Sequence, residues 1–322
     1  MVMAQSLFIS LKQQQPDIKI DVLAPEWSLP ILSRMPQVRT GIAMPVGHGT
    51  LGLGQRYHIG KAMRSAGYGQ AIVIPRSWKS ALVPRIAGIP VRTGYRGEMR
   101  YGLLNEIRPL DKQVLQQTVQ RYVALGQPVG ASQQVAPAIP YPKLETDSSK
   151  QQGLLQTLDL QLDRPVAGFM PGAEYGPAKK WPVAYFAELA EKLVADGYQV
   201  WLLGSEKDAD DAAAILQQAD CAHVTNLCGK TSLEEAIDLI ALCELAVSND
   251  SGLMHIAAAV GCELIALYGS STPNYTPPLS DKAHVLYLGL ECSPCFKREC
   301  PLGHLRCLKD IKPQQVLDTL KS

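Results

Sequence analysis

The chain has 322 residues, of which 46% are hydrophobic and 19% charged, and its formal net charge is +1. That length exceeds what one hydrophobic core usually supports and points to two domains, while the balanced charge excludes nucleic-acid binding driven by bulk electrostatics. No apolar run reaches the ~20 residues needed to span a bilayer, and the start lacks the basic and small-residue pattern of a signal peptide, so a cytoplasmic protein is expected.

In chain order, MVMAQSLFISLK places Met1, Met3 or Ala4, Leu7, Phe8 and Leu11 at three- and four-residue spacing, which marks one apolar helix face. A strand over Ile18–Ala24 follows, then a helical stretch near Trp27–Met35 and a short strand GIAM. GLGQRYHIGKAMRSAGY reads as a helix stopped near Gly67. QAIVIP reads as a buried strand, and SWKSALVPRIAG as a helix with Ser77 as N-cap. DKQVLQQTVQRYVALG reads as an amphipathic helix opened by Asp111 and closed by Gly126. Residues 127–152 are rich in Pro, Gln, Ser and Ala without a sustained period and read as a linker. This sets a first domain over 1–150 and a second over 151–322.

The second half repeats the alternation. Strands are expected at PVAGFMPG, YQVWLLGS, AHVTNLCG, ELAVSND and ELIALYG. Helices are expected at PVAYFAELAEKLVADG (Pro182 in its first turn), EKDADDAAAILQQA, SLEEAIDLIALC and SGLMHIAAAVG, with a last short helix in KPQQVLDTLKS. Strands alternating with helices predict an α/β fold of parallel sheets covered on both faces. Two such halves give two doubly wound domains.

Ligands of such sheets lie at the carboxyl ends of the strands. PGAEYGPAKKW, after the first strand of the second half, combines two glycines, two lysines and a helix start, a pattern suited to holding a phosphate; an ordinary strand–helix turn with surface lysines has the same composition. NDSGLMHIAAAVG offers Asp250 or Ser251 as helix cap, Gly252 for close approach of a ligand, and His255 returning to the same helix end. Loops starting at Gly204 and Gly229 lie on the same sheet edge, and the four together outweigh any one. GHGTLG matches a dinucleotide-binding glycine pattern, but its strand is short and no acidic residue follows ~20 positions on, so it reads as chance.

Two further features stand apart. Between Leu51 and Arg108 lie ten basic residues (Arg56, Lys61, Arg64, Arg76, Lys79, Arg85, Arg92, Arg96, Arg100 and Arg108) against Glu98 and Glu106, a local net charge of +8. A solvated basic face and a surface for an anionic substrate or membrane leaflet are both open readings. All eight cysteines lie beyond residue 220. Cys292, Cys295, Cys300 and Cys307 cluster around His304, so a bound metal, a disulfide and free thiols are alternatives, the last two preferred and none with a role in catalysis.

The segments PGAEYGPAKKWP, SNDSGLMHIAAAVG and YGSSTP resemble glycosyltransferase family 9, along nearly the whole chain. The resemblance implies a GT-B fold, in which two Rossmann-like domains face a cleft. It implies inverting transfer of L-glycero-D-manno-heptose from ADP-heptose to a heptosyl-Kdo-lipid A core in lipopolysaccharide biosynthesis. The donor would sit in the C-terminal domain and the anionic acceptor against the N-terminal one, on the cytoplasmic face of the inner membrane. Carried over by motif, Lys179 contacts and stabilises the leaving diphosphate, with Glu174 and Tyr175 on its loop. Asp250, Ser251, Gly252 and His255 lie at the diphosphate and sugar, Thr231 near the adenine and Glu206 near the ribose. No cofactor and no metal is implied. Family members begin with a strand and a turn bearing a general-base Asp, followed by the helix matching MVMAQSLF. The resemblance therefore places both before Met1, absent from this sequence, and a poorly active chain with a late-assigned start is expected. A nucleotide-sugar epimerase of the same fold, or an impaired nucleotide-sugar-binding protein, are the alternative readings. The basic stretch favours the transferase.

Overall fold

The structure is a computed structural model that describes residues 1–47, 49–130 and 135–320. His48 of GHGTLG, residues 131–134 of the expected linker, and 321–322 at the end of the last expected helix lie outside them. Contacts group residues 3–140 into one unit and 141–322 into another.

Among its described residues the first unit carries five strands: β1 (Ile20–Pro25), β2 (Val38–Met44), β3 (Gln70–Val73), β4 (Val91–Tyr95) and β5 (Glu106–Arg108). All pairings are parallel, but they form two sheets, β1-β2 and β3-β4-β5. Among the described residues, β1 and β3 thus each have one strand edge unpaired. A cavity of about 1070 Å³ lies against both, walled by Leu7, Phe8, Ile20, Val22, Ile72 and Val73 among others. Tyr68 and Asp21 also line it, and the Tyr68 hydroxyl donates to Asp21 Oδ2 at 2.6 Å. Arg39 pairs with the same carboxylate and, through that hydrogen bond, holds it below its ordinary pKa. Burial, reinforced by the bond to Asp21, pushes the Tyr68 phenol up to about 12.

This arrangement corrects several expectations. QAIVIP has the composition of a buried strand, yet within β3 only Val73 is buried, because the strand has a partner on one edge only. β4 and β5 were not expected at all: VRTGY has no apolar run, and Tyr95 is buried with its hydroxyl bound to the Arg121 carbonyl at 2.8 Å. Ser77 occupies an N-cap position, but its side chain makes no capping bond; its carbonyl instead accepts from the Ser80 hydroxyl. Asp111 closes a turn onto Gln113 and Val114, and the helix begins seven residues later at Thr118–Leu125 with a Gln117–Gln120 capping box.

The second unit holds β6 (Val166–Met170), β7 (Gln199–Leu202), β8 (Val224–Asn226), β9 (Leu245–Asn249), β10 (Glu263–Tyr268) and β11 (Ala283–Tyr287). They form one parallel sheet in the order β11-β10-β9-β6-β7-β8. β6, β7 and β9 are buried at every residue, as a sheet covered on both faces requires. Helix Val183–Ala195 turns Phe186, Leu189, Ala190 and Leu193 into this core. The Trp181 indole meets Phe186 edge-on at 4.9 Å, and burial of each such ring contributes roughly 1.5–3 kcal/mol. The end of the stretch expected to be irregular linker (127–152) is helical: helix Ser148–Thr157 begins there, capped by Asp147 and held within the second unit through Asp238.

Candidate functional site

The chain runs outward from β6 through β7 to β8, then returns to β9 and runs the other way. The boundary between β6 and β9 is therefore the point where strand order reverses, the place where open α/β sheets bind ligands. Two loops leave from it: residues 171–181 after β6, and 250–251 after β9.

Asn249, the last residue of β9, fastens the first loop. Its side-chain amide donates to the Pro171 carbonyl at 2.7 Å, and its side-chain oxygen accepts from the Trp181 N–H at 3.0 Å. Trp181 is fixed from its other side by Nε1 donating to the Ile311 carbonyl at 2.9 Å. At Gly172 a Cβ would fall 2.4 Å from the Asp208 carboxylate, so any larger residue would displace that side chain. With both loop ends held, Lys179 Nζ lies 2.5 Å from Asp250 Oδ2, and the Ser271 hydroxyl donates to the same oxygen at 2.5 Å. The Asp250 side chain is only 6% exposed and that of Lys179 17%, so this pair is shielded from solvent screening.

The second loop opens helix Gly252–Val260. Ser251 is its N-cap residue, but neither Ser251 nor Asp250 caps it as the sequence suggested. Asp250 is committed to Lys179 and Ser271, and the Ser251 hydroxyl lies 3.4 Å from that of Ser248. Among the described residues no side chain caps the first N–H groups of the helix, which lie at the positive end of the helix dipole, next to the Lys179–Asp250 pair. A Cβ built on Gly252 has nothing within 4 Å, so the approach to these donors is open. His255 lies one turn on. Burial pushes its imidazole down to about 4, against the pull of the Asp250 charge, so it is neutral at pH 7.

The structure thus joins Lys179 and Asp250 directly and puts Ser251, Gly252 and His255 on the adjoining helix end. Tyr175 joins them, with its ring centroid 5.2 Å from Lys179 Nζ. Glu174 turns away to an exposed pair with Lys207 at 2.7 Å. Glu206 and Thr231 sit on the neighbouring loops, where Gly229 is close enough that a Cβ would lie 3.1 Å from the Glu206 backbone. Sequence reasoning missed Asn249 and Ser271. Both are polar residues at or just after the carboxyl end of a buried strand, which is the one signal that could have found them.

The basic stretch divides. Arg100 is buried and donates to the Tyr95 and Pro75 carbonyls, and buried Arg56 donates to the Leu51 and Lys79 carbonyls. Arg64, Arg92 and Arg108 also bind backbone carbonyls. Those side chains stitch loops together, and of the five only Arg64 is exposed. Lys61, Arg76, Arg85 and Arg96 are exposed. The eight cysteines are all free thiols, and among the described residues no group of three metal-ligating side chains is close enough to hold an ion.

The profile of glycosyltransferase family 9 (heptosyltransferase) matches residues 56–306. Lipopolysaccharide heptosyltransferase 2 of Escherichia coli K12 is 46% identical over 331 residues, covering 100% of this chain and 94% of the relative. That of Salmonella typhimurium LT2 is 47% identical over 328 residues, with the same coverage. The solved structure of E. coli ADP-heptose LPS heptosyltransferase II superimposes with a TM-score of 0.87 at 44% identity, covering 100% of this chain and 94% of that one.

Proposed function

The chain belongs to glycosyltransferase family 9, and on that premise we propose that it transfers L-glycero-D-manno-heptose from ADP-heptose, with inversion, to the heptosylated Kdo-lipid A core of lipopolysaccharide. The observation that carries this reading is the Lys179–Asp250 pair set beside an uncapped helix N-terminus at the switch point of the second sheet.

An acceptor hydroxyl attacks the anomeric carbon from the face opposite ADP, so the bond to the diphosphate breaks as the new glycosidic bond forms, and the hydroxyl proton is released to solvent. Positive charge grows on the sugar ring and negative charge on the leaving ADP. Fixed donors aimed at that developing charge lower the barrier. Lys179 supplies an ammonium that Asp250 and Ser271 hold in place, and the N–H groups at Gly252 supply dipoles that need no reorganisation. Neutral His255 donates or accepts a hydrogen bond near the sugar without adding charge. Tyr175 lies along the diphosphate, while Glu174 keeps its loop in position through Lys207. Thr231 and Glu206, on the loops after β8 and β7, lie toward the adenine and ribose. Protein groups neutralise the leaving diphosphate, and no metal takes part in the transfer.

The acceptor is anionic, and the exposed Lys61, Arg76, Arg85 and Arg96 of the first unit are the side chains suited to its phosphates and carboxylates. No helix among the described residues is long and apolar enough to cross a membrane. The enzyme meets its lipid-borne acceptor peripherally, at the cytoplasmic face of the inner membrane, through such basic groups. Incubation with ADP-heptose, with and without a defined heptosyl-Kdo-lipid A acceptor, tests this by mass analysis. A product one heptose heavier that requires both substrates supports the transfer. Conversion of the donor alone to another sugar nucleotide would instead mark an epimerase.

A further inference from the structure

A diphosphate carries more negative charge than one lysine offsets, and Lys179 is already paired with Asp250. The other lysines of this neighbourhood are also committed: Lys180 to Asp211 at 2.6 Å, and Lys207 to Glu174 at 2.7 Å. As it stands, the loop after β6 has its positive charge matched by carboxylates, and a leaving group of higher charge needs another cation.

One arrives from a distant part of the sequence. The segment after β11 folds back against this loop. The Ala178 N–H donates to the Arg298 carbonyl at 3.0 Å, and the Tyr175 hydroxyl donates to the Phe296 carbonyl at 2.7 Å. The Phe296 N–H in turn donates to the Ser270 carbonyl at 2.7 Å, next to the Ser271 that holds Asp250. The approach is close enough to dictate a glycine: Gly176 has φ of 147°, and a Cβ there would fall 2.6 Å from the Arg298 carbonyl oxygen. This backbone clasp fixes where the Arg298 side chain starts. Its guanidinium lies 5.6 Å from the centroid of the Tyr175 ring, the ring that Lys179 Nζ approaches at 5.2 Å. Arg298 is exposed, and among the described residues no carboxylate forms an ion pair with it.

We propose that Arg298 is a second cation of the donor site, binding the donor's diphosphate together with Lys179 across the Tyr175 ring. This rests on the reading of the site as a nucleoside-diphosphate-sugar site and adds a binding residue to it. A guanidinium suits the task, since its planar fork engages phosphate oxygens in pairs and keeps its charge at any working pH. The division of labour is clear in the geometry: the carbonyl of residue 298 holds the loop, and the side chain reads the ligand.

That division makes the test clean, because truncating the side chain leaves the clasp intact. Calorimetric titrations with ADP and with adenosine are made on the full chain, on Arg298→Ala and on Arg298→Lys. Arg298→Ala is expected to weaken ADP binding about ten- to a hundredfold, to leave adenosine affinity and melting temperature unchanged, and to flatten the salt dependence of ADP binding. Arg298→Lys is expected to recover part of the loss. ADP affinity unchanged in Arg298→Ala would overturn the inference. So would a loss of adenosine and ADP affinity in equal measure with a lower melting temperature, which would mark Arg298 as structural. A parent chain that binds neither ADP nor ADP-heptose would overturn the donor-site reading beneath it, and this inference with it.

Discussion

Six parallel strands in residues 141–322 share one sheet whose middle members are buried along their whole length. The five parallel strands of residues 3–140 divide into two sheets with an apolar cavity of about 1070 Å³ beside their unpaired edges, and β1 and β3 are buried at only some positions. The alternation of strand and helix in the sequence is similar in both halves. What differs is the continuity of pairing: among the described strands, four of the second unit have partners on both edges and only β4 of the first does. Packing and backbone pairing come together, so a strand missing one neighbour loses burial as well as hydrogen bonds. A binding loop needs rigid ends, and the unit with the continuous sheet is the one that carries the Lys179–Asp250 site.

The sharpest way to break this comparison is to make the same truncation on both sides. Leu202 is fully buried in β7, whereas Leu23 of β1 is half-buried against the cavity. Leu202→Ala should cost about 2–5 kcal/mol, as filled cores do. Leu23→Ala should cost less than about 1 kcal/mol, because part of the space it would vacate is already empty. Denaturant unfolding followed separately for the two units reads both values; equal losses would contradict the contrast. Amide hydrogen exchange sharpens it further. β6 and β9 should be protected to near the global unfolding limit, and β1 and β3 should exchange faster by subglobal opening.

Much of this was legible in the sequence. Five of the six described strands of the second half were expected, four of them from apolar runs, and GFMPG, SNDSG and ALYG mark carboxyl ends; β11, AHVLY at the sheet edge, was missed. The site could be found because a parallel sheet puts those ends on one side. The first half was read less well. Val91–Tyr95 forms a strand by burying Thr93, Gly94 and Tyr95 through neighbours far away in the chain, which no local pattern reports. Asp111 and Ser77 look like helix caps, but other local bonds decide: a Gln117–Gln120 capping box opens the one helix at Thr118, and Ser77 offers its carbonyl, not its side chain, to the Ser80 hydroxyl. The arginines of the +8 stretch look like a surface, yet Arg56 and Arg100 are inside, each serving backbone carbonyls of loops that composition could not place. Arg298 was missed for the same reason, since 119 positions separate it from the Lys179 loop it clasps.

Within the second unit, Gly252→Ala separates folding from binding. Nothing in the structure opposes the new methyl group, and Ala favours a helix over Gly by up to about 1 kcal/mol. Stability should hold or rise slightly while donor affinity falls about tenfold, because the methyl enters the approach to the helix N–H groups. A further effect concerns pH. The folded His255 imidazole titrates near 4 and the unfolded one near 6.5, so as pH falls the unfolded chain binds this proton first. Its contribution to stability is therefore intact above 6.5 and is lost between 6.5 and about 4. His255→Asn should flatten that acid limb of the stability curve, with no change above neutral pH.

The central claim is that Lys179, held by Asp250 and Ser271, carries the diphosphate of the donor. Calorimetric titration of ADP-heptose into the parent chain and Lys179→Ala tests it most directly. The account predicts measurable binding by the parent and a loss of about a hundredfold or more in the variant, measured at a temperature where both are folded, since the Asp250 carboxylate left without Lys179 lowers the melting temperature. Equal affinity in the two proteins would contradict it.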